Sequence, residues 1–193
     1  MEVKKTEILL DLAEQNDGYV SVAEAASFGV AQTYLCMAEE EGLFQKVSKG
    51  LYRKRGFASD RFYELSFRFR KIVFARKSAL FLHGIATDED YEVNLPLNYM
   101  NGGIEGVACA HAGKKEYEVG QSILVTPRGN LVNSYDLERT LIDLLRHHDQ
   151  FDKDTFLALW KKGNEKSPYP EKLDAYARQF HVEGELSLLR KLY

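Results

Sequence analysis

The segment GLFQKVSKGLYRKRG, residues 42–56, constrains the fold more than any other stretch of this chain. Phe44–Val47 and Gly50–Arg53 alternate as half-buried strands do, and Ser48-Lys49-Gly50 between them supplies the turn. The hairpin begins directly behind a short helical stretch, residues 31–41, which Gly42 ends. A hairpin in that position reads as a wing on a helical module. The residues before it fit the rest of such a module. Ile8, Leu9, Leu12 and Ala13 recur at helical spacing within residues 3–16, and Asn16-Asp17-Gly18 closes that helix. Tyr19-Val20 is an extended pair. Ser21 with Glu24 three residues later forms a capping box at the start of a helix through Ala23, Ala25 and Ala26. Phe28-Gly29-Val30 breaks that helix, because glycine reaches the left-handed conformation that a sharp interhelical turn requires.

The third helix should bury Tyr34 or Leu35 together with Ala38, which leaves Gln32, Thr33 and Tyr34 near its exposed N-terminal end. In a winged helix-turn-helix that end enters the major groove, where glutamine can pair with adenine and threonine can meet a methyl group or a phosphate. The wing presents Lys46, Lys49, Arg53, Lys54 and Arg55 to phosphates or to the neighbouring minor groove.

Net charge is −3, which by itself argues against a nucleic-acid partner. The distribution of charge reverses that inference. Up to Gly42 only Lys4 and Lys5 offset nine acidic residues, whereas Leu43 to Lys77 holds eleven bases, including Arg68, Arg70 and Lys71, against Asp60 and Glu64 alone. A basic block inside an acidic total is a footprint for polyanions. Glu39-Glu40-Glu41 lies at the far end of the third helix and reads as solvated surface.

The wing ends near Arg55 to Ser59, so the expected domains are 1–57, the winged helix-turn-helix, and 58–193, an α+β domain of helices packed on a mainly antiparallel sheet. Ser59 is the expected N-cap of a helix with Phe62, Leu65, Ser66 and Phe69 on one face. Lys77 to Gly84 reads as a second helix, with His83 as a cap or core hydrogen-bonder. Between Tyr91 and Tyr135 the segments YEVNLP, GVACAHA, KEYEVG, SILVTP and NLVNSY read as strands. Asp136 opens a helix with Leu137, Leu141, Leu144 and Leu145 on its face. Further helices run through Phe156 to Trp160, through Leu173, Tyr176, Ala177 and Phe180, and through Leu186 and Leu189.

Motifs for catalysis are missing: the chain has no nucleophile elbow, HExxH, CxxC or kinase signature. Asn98 to Gly103, NYMNGG, lacks the spacing of a phosphate-binding loop. His147-His148 point about 100° apart on a helix and make a poor metal pair. Asp136, Glu138 and Asp143 read as helix cap and surface. Neither an enzyme nor a cofactor or metal is therefore expected. Cys36 and Cys109 have no pair spacing and read as free thiols, and the charged N-terminal stretch and the lack of a long apolar run point to a cytoplasmic protein without a membrane partner.

In order and separation, the winged segment ending in KVSKGLYRKRG, then KSALFLHG, then SYDLERTLIDLLR resemble the AbiEi family of bacterial antitoxins, from abortive-infection type IV toxin–antitoxin systems that act in phage defence. The resemblance implies a bifunctional protein. Its N-terminal module would repress its own operon by binding repeated promoter sites, with self-association possible on that DNA. Its C-terminal domain would counteract a nucleotidyltransferase-like toxin without requiring a stable complex. Repression would fall to Gln32, Thr33, Lys46, Lys49 and Arg53. For the antitoxin surface, Lys71, Arg76, Lys77, Lys114, Lys115 and Arg128 are candidates as exposed bases. Two alternatives compete: a one-component regulator whose C-terminal half binds a metabolite, and an enzyme or nuclease recruited to DNA.

Overall fold

The computed structural model describes residues 3–99 and 103–192. Two compact units compose the chain: Met1–Arg70 together with Val125–Leu131, and Lys71–Leu124 together with Val132–Tyr193. Met100, Asn101 and Gly102 of the glycine-containing NYMNGG loop lie outside the described residues.

The first unit runs α1 (Val3–Gln15), β1 (Tyr19–Ser21), α2 (Val22–Ser27), α3 (Gln32–Glu40), β2 (Phe44–Ser48), β3 (Leu51–Lys54) and α4 (Arg61–Arg68). The expected three helices and wing are all present. β3 pairs antiparallel with both β1 and β2, so the extended pair Tyr19-Val20 becomes the third strand of the wing sheet. The strands lie about one residue later than expected at the turn, and the register slips between Lys46 and Ser48, where one extra residue bends β2. Leu9, Leu12, Ala13, Ala25, Leu35, Ala38, Phe44 and Tyr52 form one buried cluster. Burying each of the larger side chains contributes roughly 1.5–3 kcal/mol. Gly29 has φ +70° and its carbonyl accepts from Lys5 Nζ at 2.8 Å, which ties α1 to the turn that aims α3.

Ser21 caps α2 by accepting from the Glu24 amide at 3.1 Å, but the Glu24 carboxylate does not reach back to complete the box. It accepts from Asn16 Nδ2 instead, joining the end of α1 to the start of α2.

The expected division between residues 57 and 58 falls inside the first unit, and the reason is α4. Its Glu64 Oε1 accepts from Tyr19 hydroxyl at 2.7 Å, from Arg53 Nη1 at 2.9 Å and from Ser59 Oγ at 2.8 Å. Ser59 is thus engaged with Glu64, and the N-cap of α4 is Asp60, whose Oδ1 accepts from the Tyr63 amide at 3.2 Å. The other Asp60 oxygen accepts from Thr126 Oγ1 at 2.6 Å and Asn130 Nδ2 at 2.9 Å. Asp60 is 3% exposed, and this buried latch is what brings Val125–Leu131 into the first unit.

The second unit contains β4 (Val73–Phe74), α5 (Arg76–Leu82), β5 (Glu92–Pro96), β6 (Ala108–Ala112), α6 (Lys114–Glu118), β7 (Gln121–Val125), β8 (Leu131–Tyr135), α7 (Leu137–Arg146), α8 (Lys153–Lys166), α9 (Pro170–Phe180) and α10 (Glu183–Leu192), the tip of the β7–β8 connection excepted. The α+β class is as expected. The sheet, in the order β6-β5-β4-β8-β7, is mixed where a mainly antiparallel one was expected: β4 pairs antiparallel with β5, but β4–β8 and β5–β6 are parallel. The long connection from β5 to β6 allows the chain to return in the same direction. KEYEVG is not a strand. It forms the single-turn helix α6, because Tyr117 lies against Val73, Ala75 and Tyr135 and its hydroxyl donates to Lys71 O at 2.8 Å.

Leucines of α7 pack with Leu80, Trp160, Leu173 and Leu186 in the helical core. Gly163 of α8 faces Leu141 so closely that a Cβ would overlap Leu141 Cδ2. The polar residues of α7 correct an expectation: Glu138 and Asp143 are buried, not surface. Glu138 Oε1 accepts from Ser167 Oγ at 2.8 Å and the Tyr169 amide at 3.2 Å. Asp143 Oδ1 accepts from Arg139 Nε at 3.1 Å, while Arg139 Nη1 donates to the carbonyls of Glu116 and Val119 and its guanidinium lies over Tyr135 and Phe180. Asp136 caps α7 through the Arg139 amide and also accepts from Tyr176 hydroxyl. DLER is therefore a buried polar hub joining α6, α7 and α9.

Candidate nucleic-acid interface

Gln32 and Thr33 stand exposed in the first turn of α3, and Ala31 at the N-cap offers no side-chain bond to the helix end. Leu35 and Ala38 point into the core, which fixes the opposite face outward. Tyr34 is half-buried against that core and offers less of its side chain than its neighbours do.

The structure divides the expected wing bases into two sets. Lys46 on β2, Lys49 at the turn and Arg55 beyond β3 are exposed. Arg53, with 16% of its side chain exposed, is committed to Glu64, and Lys54 pairs with Glu14. Both correct the expectation of a wing whose every cation faces phosphate: the side chains of β3 alternate, and its partners on α1 and α4 are acidic. Glu39 is likewise more than solvated surface, since its Oε1 accepts from the Lys46 amide at 3.1 Å beside the β2 irregularity.

Beside the start of α3 the first unit opens into a groove of about 880 Å³. Val22, Ala23, Ala26, Val47 and Phe67 give it apolar walls; Gln32, Lys49, Arg68 and Arg70 bring polar groups to it. Arg68 and Arg70 belong to the basic block evident in the sequence, but they lie beyond the domain boundary expected at residues 57–58. Only the docking of α4 through Glu64 and Asp60 places them with the wing. Beneath this surface, burial pushes the hydroxyls of Tyr19 and Tyr52 up to about 12, so both remain neutral hydrogen-bonding groups at ordinary pH.

The candidate antitoxin bases differ among themselves. Lys71, Lys114 and Lys115 are exposed, and Lys71 lies over the Tyr99 ring. Lys77 is half-buried near Phe151. Arg76 is no free surface base, because Nε pairs with Glu92 at 2.8 Å and Nη1 donates to Asn94 Oδ1 at 3.0 Å. Arg128 is exposed but belongs to the Val125–Leu131 segment of the first unit, so these candidates do not form one patch on one unit.

Among the described residues no three His, Cys, Asp or Glu side chains converge as metal ligands, and no helix is long and apolar enough to cross a membrane. Cys36 and Cys109 are free thiols. His83, at the end of α5, faces the Tyr135 carbonyl at 2.9 Å, and burial holds its pKa below the ordinary histidine value.

Residues 7–53 match the model of a family described as "Transcriptional regulator, AbiEi antitoxin". That span runs from α1 into β3 and includes Gln32, Thr33, Lys46, Lys49 and Arg53, while the second unit lies outside it. No curated protein matches the chain.

Proposed function

We propose that the first unit binds duplex DNA at repeated sites in the promoter of its own operon and represses transcription, and that the second unit, in the cytoplasm, counteracts a nucleotidyltransferase-like toxin encoded alongside. The observation that carries the first half is the exposure of Gln32 and Thr33 at the leading end of α3, with Gln32 lining the same groove as Lys49 of the wing. An exposed helix end and a basic wing on one module suit insertion of the helix end in the major groove with wing cations on the flanking phosphates. A module this small reads a short sequence, so tight recognition requires two or more copies on repeats. The match of residues 7–53 to a family described as an antitoxin and transcriptional regulator supports the regulatory half, and the antitoxin half rests on that family description and on the resemblance of KSALFLHG and SYDLERTLIDLLR.

The test is binding of the full chain to the DNA upstream of its gene and to a scrambled duplex, by fluorescence anisotropy. Gln32→Ala should shrink the ratio of the two affinities, and footprints should cover repeated sites. Equal binding of both duplexes by the parent protein would remove the regulatory reading. Co-expression with the neighbouring toxin gene tests the second half: growth should be restored by the parent chain, and a failure to restore it at matched protein levels would remove the antitoxin reading.

A further inference from the structure

The geometry points to Arg68 and Arg70, at the end of α4, as a second phosphate clamp that faces the wing across the groove and holds one sugar–phosphate strand of the duplex between them. This rests on the DNA-binding reading and extends its surface to an element outside residues 7–53.

Both arginines are exposed, and among the described residues no carboxylate holds either guanidinium. Each is instead steadied by an aromatic ring: Arg70 lies over Phe67 with 4.5 Å from its guanidinium carbon to the ring centroid, and Arg68 over Phe69 at 5.0 Å. A ring attracts the guanidinium charge without accepting hydrogen bonds from it as a carboxylate would, so its N–H groups stay available to phosphate oxygens. It also restricts a long side chain before binding, so less rotamer freedom is lost when a phosphate arrives. Arg53, by contrast, spends its edge on Glu64. The clamp is thus built from the bases that the fold leaves uncompensated.

The wing turn, Val47 to Gly50, with Lys49 exposed, lines the same groove, and Gln32 of α3 borders it as well. The rest of the lining includes Val22, Ala23, Ala26 and Phe67, and such apolar side chains cannot satisfy a row of anions. They suit the carbon-rich face of deoxyribose, with phosphates reaching the charged rim. A strand seated there runs beside the base edges that Gln32 would read, so the backbone contact sets the register of the base contact.

The experiment compares Arg68→Ala, Arg70→Ala, the double variant, the double lysine variant and Lys49→Ala in the full chain. Each is titrated with upstream and scrambled duplex from low to high salt, with thermal melts to check folding. Each lost phosphate contact should lower the salt slope by about 0.9 and weaken binding by about tenfold at 0.1 M salt. The double alanine variant should therefore lose affinity for both duplexes by a similar factor, and the lysine variant should recover the slope. Parental slope and affinity in the double alanine variant, while Lys49→Ala and Gln32→Ala alter binding, would overturn the clamp and leave the DNA-binding reading standing. If Lys49→Ala and Gln32→Ala also bound as the parent does, the reading itself would fall. A drop in affinity for the double alanine variant without a change in slope would overturn the clamp as well, since it would reflect packing at the end of α4 and not phosphate charge.

Discussion

Arg53 looks in the sequence like one of several wing cations, and its replacement offers the sharpest separation of fold from binding. Its Nη1 lies 2.9 Å from Glu64 Oε1, with side chains only 16% and 20% exposed, and Glu64 also accepts from Tyr19 and Ser59. Arg53→Ala removes one charge-assisted hydrogen bond and leaves a largely buried carboxylate with two neutral donors. A hydrogen bond to a charged group contributes about 1.5–3 kcal/mol, and the partial exposure places this one near the lower end, about 1.5 kcal/mol. With a urea m-value of about 1–2 kcal/mol/M for a unit of this size, the unfolding midpoint should fall by roughly 1 M. Glu64→Gln combined with Arg53→Ala should destabilise by less than the sum of the two single changes, a coupling of about 1 kcal/mol. The readouts are urea denaturation by circular dichroism and, on the same proteins, the salt dependence of DNA binding, where the slope should stay parental. An unchanged midpoint with a slope lowered by about 0.9 would show Arg53 to be a phosphate contact and refute its assignment to α4.

Asp60→Ala removes an N-cap and the shared acceptor of Thr126 and Asn130, so it should cost about 2–4 kcal/mol and expose the 125–131 loop to proteolysis, with nick sites identified by mass spectrometry. In the second unit, Gly163→Ala forces a methyl group into Leu141 and should destabilise by about 1–3 kcal/mol in a thermal melt, partly recovered by Leu141→Ala in the same chain. His83 and His147 both have pKa values lowered by burial, so the folded chain binds fewer protons than the unfolded one just below the ordinary histidine pKa; stability should be full above about pH 6.5 and decline as pH falls toward the depressed values. His83→Gln should flatten part of that decline in urea melts between pH 7.5 and 5.5, and an unaltered pH dependence would count against a buried neutral imidazole.

The module up to the wing was legible because its signals are local. Glycine at the α2–α3 turn, the Ser21 cap and the alternation on either side of the Lys49 turn each act within a few residues, and they give the observed helices and strands. What escaped depends on distant partners. Nothing near Arg53 announces that Glu64 will take it, and nothing near Asp60 announces Thr126 and Asn130. Those two long-range sets move α4 into the first unit and bring Arg68 and Arg70 to the groove. The α6 segment failed for a related reason: alternation over five residues looks the same in a strand and in one helical turn, and the packing of Tyr117 decides between them. Charged letters on α7 suggested solvent, but Arg139 has both a carboxylate and two backbone carbonyls waiting inside the fold. The two-residue strand β4 is too short to carry any period at all.

The latch on Asp60 has a consequence for synthesis. Chain emerges from the ribosome from residue 1 onward, and the wing could close on its three helices as soon as Lys54 is out. Asp60 would then be left with a buried carboxylate oxygen awaiting Thr126 and Asn130, which arrive only after β4, α5, β5, β6, α6 and β7 have been made. The first unit therefore cannot finish when its own wing closes, and its last hydrogen bonds wait on much of the sheet that belongs to the second. A nascent chain halted before residue 126 would carry a wing and a leading helix without the full set of contacts that hold α4, and the proposed DNA binding should mature only when translation passes that point.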